Sequence, residues 1–175
     1  MTLQSVYNNG LTPDAFERLM TEEQRRLHAL HARRAEIDEE AIEAVRSSGA
    51  ELVLVITEPW CGDSLAVFPV VLRLFREAGC ELRVVRRDEH PQLIDAFLTR
   101  GGRAIPIVLV LDDSYDVRLR WGPRPEPAQR VVEQHREGMT SGAVERALVY
   151  KEIRTFYASD AGRTIVAELV GGLRD

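Results

Sequence analysis

The stretch "EPWCGDSLAVFP", residues 58–69, decides how the rest of the chain is read. Before it lies "ELVLVIT", residues 51–57, an aliphatic and β-branched run without polar alternation, which predicts a strand covered on both faces. After it, Val67, Val70, Val71, Leu74 and Phe75 recur at helical spacing until Gly79 closes the helix. A strand thus ends just before Cys61 and a helix begins just after it. The sulfur sits where unpaired backbone N–H groups and the helix dipole favour an anion.

Outward from this unit the order continues. "CELRVVRR", residues 80–87, predicts a second strand, and "HPQLIDAFLTRGG", residues 90–102, a helix with an early proline and two glycines at its end. "IPIVLVLDD", residues 105–113, predicts a buried strand; a turn over 112–116 and the alternating "VRLRW", residues 117–121, complete a hairpin. "GPRPEP", residues 122–127, breaks the chain before helices over 128–137, 143–157 and 160–173. The second of these carries Val144, Leu148, Val149, Ile153 and Phe156 on one side.

The first 50 residues read as helix. Thr12 before Pro13 is an N-cap with proline at the first helical position, and Thr21 with Gln24 has capping-box spacing. Leu27, Leu30, Ile37, Ala41 and Val45 then recur at three- and four-residue steps, fitting one long helix or two shorter ones.

Composition bounds the function. The 175 residues suit one well-cored domain, and 45% apolar with 29% charged residues is a soluble globular balance. The 28 acids and 23 bases, net charge -5, are scattered and offer no basic stripe for nucleic acid. No apolar run approaches a membrane span, the N-terminus lacks a signal pattern, and two cysteines give no disulfide framework, so a cytoplasmic setting is expected. His28 and His31 read as solvated helix residues, and no metal or other cofactor is expected.

The order strand, helix, strand, helix, hairpin, helix and the residues "WCGDS" (60–64) together resemble the thioredoxin-like superfamily. Pro69 resembles the proline of that family's active-site helix, "RAIP" (103–106) the segment ending in its cis-proline, and Gly122 the glycine after its last strand. "DEHP" (88–91) is similar to the turn into the family's next helix. The likeness spans about residues 51–137; a bacterial subgroup carrying both EPWCGD and WGPRP resembles the whole. It implies an α/β fold: a thioredoxin-like three-layer sandwich with a mixed sheet of about four strands, in a single domain over 1–175 with helical extensions at 11–48 and 143–173.

The departures matter as much. Ser64 stands where the family has its resolving cysteine, and Val55 where it has a buried acid. The resemblance therefore implies a monothiol disulfide oxidoreductase. In it Cys61 attacks a protein disulfide or mixed disulfide, Ser64 supports the sulfur, and an external thiol reductant resolves the intermediate. A free cysteine titrates near about 8.5. The helix end should lower that value and Asp63 should oppose the effect, so a reactive but not extremely acidic thiol is expected. Trp60 is expected to form an apolar shelf and Ile105 to pair through its backbone beside a cis Pro106, with Gly62 and Asp63 completing the substrate contacts.

The alternative is a redox-inactive protein- or peptide-binding module using Trp60, Pro106 and Trp121. A third reading, iron–sulfur handling, lacks the lysine and glycine pair of the monothiol glutaredoxins that the C-G-x-S pattern resembles. Glu58 reads as a solvated carboxylate, Arg124 as a groove residue or an exposed arginine in a stiff turn, His90 as a helix-start residue, and Cys80 as packing.

Overall fold

The structure is a computed structural model, described here over residues 2–174. Its centre is a four-stranded sheet built from β1 (Leu52–Thr57), β2 (Glu81–Arg86), β3 (Ile107–Leu111) and β4 (Val117–Trp121), in the order β2-β1-β3-β4. β1 pairs parallel with β2, with Val55 opposite Val84, and antiparallel with β3, with Val55 opposite Val108. β3 and β4 form the antiparallel hairpin, with Val108 opposite Trp121 and an irregularity between Val110 and Leu111.

The two central strands are apolar throughout because both faces are covered. Successive side chains point to opposite faces. Val53 and Val55 of β1 and Val108 and Val110 of β3 join one core cluster; Leu54, Ile56, Ile107 and Leu109 join the other. The first cluster lies beneath α5 (Gly62–Glu77), the second beneath α1 (Leu3–Asn8) and α6 (Pro91–Asp95). This is the thioredoxin-like three-layer arrangement with a mixed sheet that the resemblance implies.

The N-terminal helical region is four short helices: α1, α2 (Pro13–Glu17), α3 (Glu22–Arg34) and α4 (Glu39–Ser47). Thr12 caps α2 through the Ala15 N–H, and Thr21 and Gln24 form the expected reciprocal box on α3. The pattern from Leu27 to Val45 is broken at Ala35, which turns to ψ 124, and the Glu36 N–H bonds to the Ala161 carbonyl instead of continuing the helix. His28 is not solvated: its ring packs on Phe68 and it is buried.

Downstream, α6 is a short helix ending at Asp95, where the sequence predicts helix to Gly102. Thr99 and Gly102 exchange backbone hydrogen bonds, and Arg120 reaches the Phe97 carbonyl and the Thr99 hydroxyl, so this segment serves β4. The single helix expected over 128–137 divides into α7 (Glu126–Gln134) and α8 (Arg136–Ser141). Then follow α9 (Arg146–Asp160) and α10 (Arg163–Arg174). Within α9 Val149, Ile153 and Tyr157 are buried while Leu148, assigned to the apolar face, is 60% exposed. No described helix is long and apolar enough to cross a membrane.

Gly122 links the sheet to the site. Its φ is +110, and a Cβ there would stand 2.3 Å from the Pro106 carbonyl oxygen, so only glycine lets β4 leave the sheet beside Pro106.

Candidate functional site

Cys61 caps α5 with an extended backbone (φ -80, ψ 121), its carbonyl accepting from the Leu65 N–H. The preceding turn closes with the Cys61 N–H donating to Glu58. Gly62, Asp63 and Ser64 form the first turn of the helix, and Pro69 lies within it. Ile105 and Pro106, joined by a cis bond, face this loop: the Cys61 thiol lies 3.6 Å from the Ile105 carbonyl oxygen and donates to it. Among the described residues the Ile105 N–H makes no hydrogen bond.

Trp60 is 53% exposed, with the Arg87 guanidinium 4.7 Å above its ring. Arg87 is steered there by the Arg103 carbonyl and Asp88. Ser64 is buried and accepts a 2.6 Å hydrogen bond from Thr57. Near Cys61 the fold therefore places a hydroxyl pair, and Val55 is fully buried.

Of the predicted residues, Trp60, Cys61, Gly62, Asp63 and Ile105 line a single cleft of about 490 Å³, and Ser64 and Pro106 lie outside its lining. Its far wall is α9, through Ala147, Tyr150, Ile153, Arg154 and Tyr157. That wall is the contribution sequence reasoning missed. Ala147, Tyr150, Arg154 and Tyr157 fall at three- and four-residue steps, a stripe beside the aliphatic one and legible only once a partner surface is known.

Four expectations are corrected. Glu58 is fully buried, accepting from the Asp88 N–H at 2.9 Å and from Arg86 at 3.2 Å, so it closes the end of β1. Arg124 lines the cleft, as its groove reading has it, and only the exposed reading is overturned: it binds Asp63 at 2.6 Å with its side chain 12% exposed. Trp121 is buried with its indole N–H on Glu168 at 2.8 Å, outside the cleft. The fourth concerns the sulfur. Burial pushes the Cys61 thiol above its ordinary value; hydrogen bonds from the Ser64 hydroxyl and from the Ser64 and Asp63 backbone pull the other way, and the Asp63 charge adds to the rise. Desolvation outweighs the helix end.

Asp63 itself is consumed by the scaffold. One oxygen takes Arg124, the other accepts from the Tyr157 hydroxyl at 3.0 Å. His90 caps α6 and its ring nitrogen lies 3.0 Å from the Arg86 carbonyl oxygen, as a helix-start residue. Cys80 hydrogen-bonds the Ala50 carbonyl and packs on the core, and burial pushes its thiol up to about 11. Among the described residues no three His, Cys, Asp or Glu side chains gather to hold a metal ion.

A mixed four-stranded sheet, a cysteine capping the helix after its first strand, and a facing cis-proline define a thioredoxin-fold protein. The family model described as Thioredoxin matches residues 10–137, and the chain belongs to the thioredoxin family. A Pseudomonas aeruginosa protein of unknown function has a similar structure, with a TM-score of 0.78 at 16% identity, over 99% of this chain and 98% of that one. An HIV epitope scaffold has a TM-score of 0.74 at 17% identity over the same shares. These likenesses concern the fold. No curated protein matches the sequence.

Proposed function

We propose that the protein is a redox-inactive binding module that holds an extended peptide segment in the cleft between the Cys61 loop and α9. The observation that carries this reading is the cleft itself. A half-exposed Trp60 and an exposed Tyr150 face an Ile105 backbone whose N–H has no partner among the described residues and would pair with an added strand. The chemistry of exchange is weakened at the same place. The thiol is pushed up by burial, it donates to the Ile105 carbonyl, and both the second cysteine and the buried acid are replaced.

Trp121 has no part in this reading, because its ring is inside. Amide chemical-shift mapping with an acetylated extended peptide tests it: shifts are expected at Trp60, Ile105 and Tyr150. Shifts confined to other surfaces, or none, would contradict it.

Monothiol exchange is a second reading, favoured by one observation: Cys61 occupies the N-cap of α5, where hydrogen bonds from Ser64 and Asp63 stabilise the thiolate. In that reaction the thiolate attacks a disulfide, forms a mixed disulfide and expels one thiolate. An external thiol then attacks, leaves with the bound half as a new disulfide and restores Cys61. Turnover of a protein disulfide or of a glutathione mixed disulfide under a thiol reductant is the test, and the binding reading expects none.

A further inference from the structure

The cleft differs in sign from the molecule that carries it. The chain has a net charge of -5, yet the cleft is lined by Arg87, Arg124 and Arg154 against the single acid Asp63. Three positive charges less one leave two in excess. Asp63 cannot offset the rim, because both its oxygens are held by Arg124 and Tyr157. Arg124 is thereby neutralised, although its Nε–H stays buried without a partner. The excess belongs to the rim residues. Arg87 lies on Trp60 and shares a partly exposed pair with Asp88, which solvent weakens. Arg154 is exposed at the cleft edge on α9.

The length of the wall suits a short extended segment. Ala147 to Arg154 are seven helical steps, about 10 Å, and an extended chain covers that distance in about three residues. Along this run Tyr150 presents apolar surface before Arg154, with Ile153 buried behind it. Resting on the binding reading above, we infer that the occupant is an acidic peptide segment. One apolar side chain would lie on Trp60 and Tyr150, with flanking carboxylates at Arg87 and Arg154.

Calorimetric titration of the full chain with three acetylated, amidated octapeptides tests this inference. Each holds one central valine with two flanking positions occupied by glutamate, glutamine or lysine. The glutamate peptide is expected to bind at least about tenfold more tightly than the glutamine peptide, and the lysine peptide more weakly still. Arg154→Ala and Arg87→Ala should each reduce glutamate-peptide affinity several-fold, reduce it more than glutamine-peptide affinity, and flatten the salt dependence. Equal binding of the glutamate and glutamine peptides would overturn the acidic preference and leave the peptide module standing. Displacement of the glutamate peptide by inorganic phosphate at comparable concentration would overturn it too, as a general anion site. Absence of binding by all three peptides would overturn the module itself.

Discussion

The Tyr157 hydroxyl lies 3.0 Å from Asp63 although 94 positions separate them, and this contact ties α9 to the first turn of α5. Arg124 completes the cluster from the segment between β4 and α7. Removing the carboxylate with Asp63→Ala strands a buried guanidinium, a change expected to cost about 3–5 kcal/mol. Tyr157→Phe removes one hydrogen bond and should cost about 1 kcal/mol. Urea unfolding checks both; equal costs would remove Asp63 as the keystone of the cluster.

His28 makes stability fall on the acid side. Burial first, then the nearby His31 and Arg76 charges, lower it from 6.5 to about 4. Between those values the unfolded chain binds a proton that the folded chain refuses, so stability is present above pH 6.5 and lost as pH falls toward 4. The full difference amounts to roughly 3 kcal/mol. His28→Leu should abolish this part of the loss, measured as the difference in unfolding free energy between pH 7 and 4 for the two proteins.

Gly122→Ala should destabilise by on the order of 3 kcal/mol, since its φ of +110 is strained for alanine and its Cβ would meet the Pro106 carbonyl at 2.3 Å. Gly62→Ala is the contrast, because nothing lies within 4 Å of its added Cβ. Thermal unfolding of the two variants should separate them by several degrees.

The Cys61 thiol should alkylate slowly at neutral pH. Burial holds it above its ordinary value, so the folded protein keeps the proton while the unfolded chain releases it. Iodoacetamide labelling followed by mass spectrometry should give a rate that rises with pH to a midpoint above that of the urea-unfolded chain, and faster labelling in urea at pH 8. The same sign makes burial of this thiol favour the fold below its unfolded pKa, an advantage lost as pH rises through the folded value. A midpoint at or below that of the unfolded chain would reverse the account of the sulfur.

The sheet was legible because its central strands obey one local rule: a strand buried on both faces is apolar at every position, as Val53 to Ile56 and Ile107 to Leu111 are. The loop was legible because Trp60, Cys61, Pro106 and Gly122 fall in family order. What escaped depends on distant partners. Ala35 ends α3 where Glu36 meets Ala161, α6 stops early where Arg120 claims the Phe97 carbonyl, and Arg124 is buried because Asp63 awaits it. Local propensity carries none of that information, and a charged residue read alone defaults to solvent.

The most direct measurement is the affinity of an extended peptide for the wild-type protein and for Cys61→Ala, taken by calorimetry under reducing and non-reducing conditions. A module that binds through Trp60, Ile105 and α9 predicts Kd values within about twofold of each other in every case. A loss of more than about tenfold on removing the sulfur, with a Cys61-linked mixed disulfide in the non-reduced sample, would contradict it.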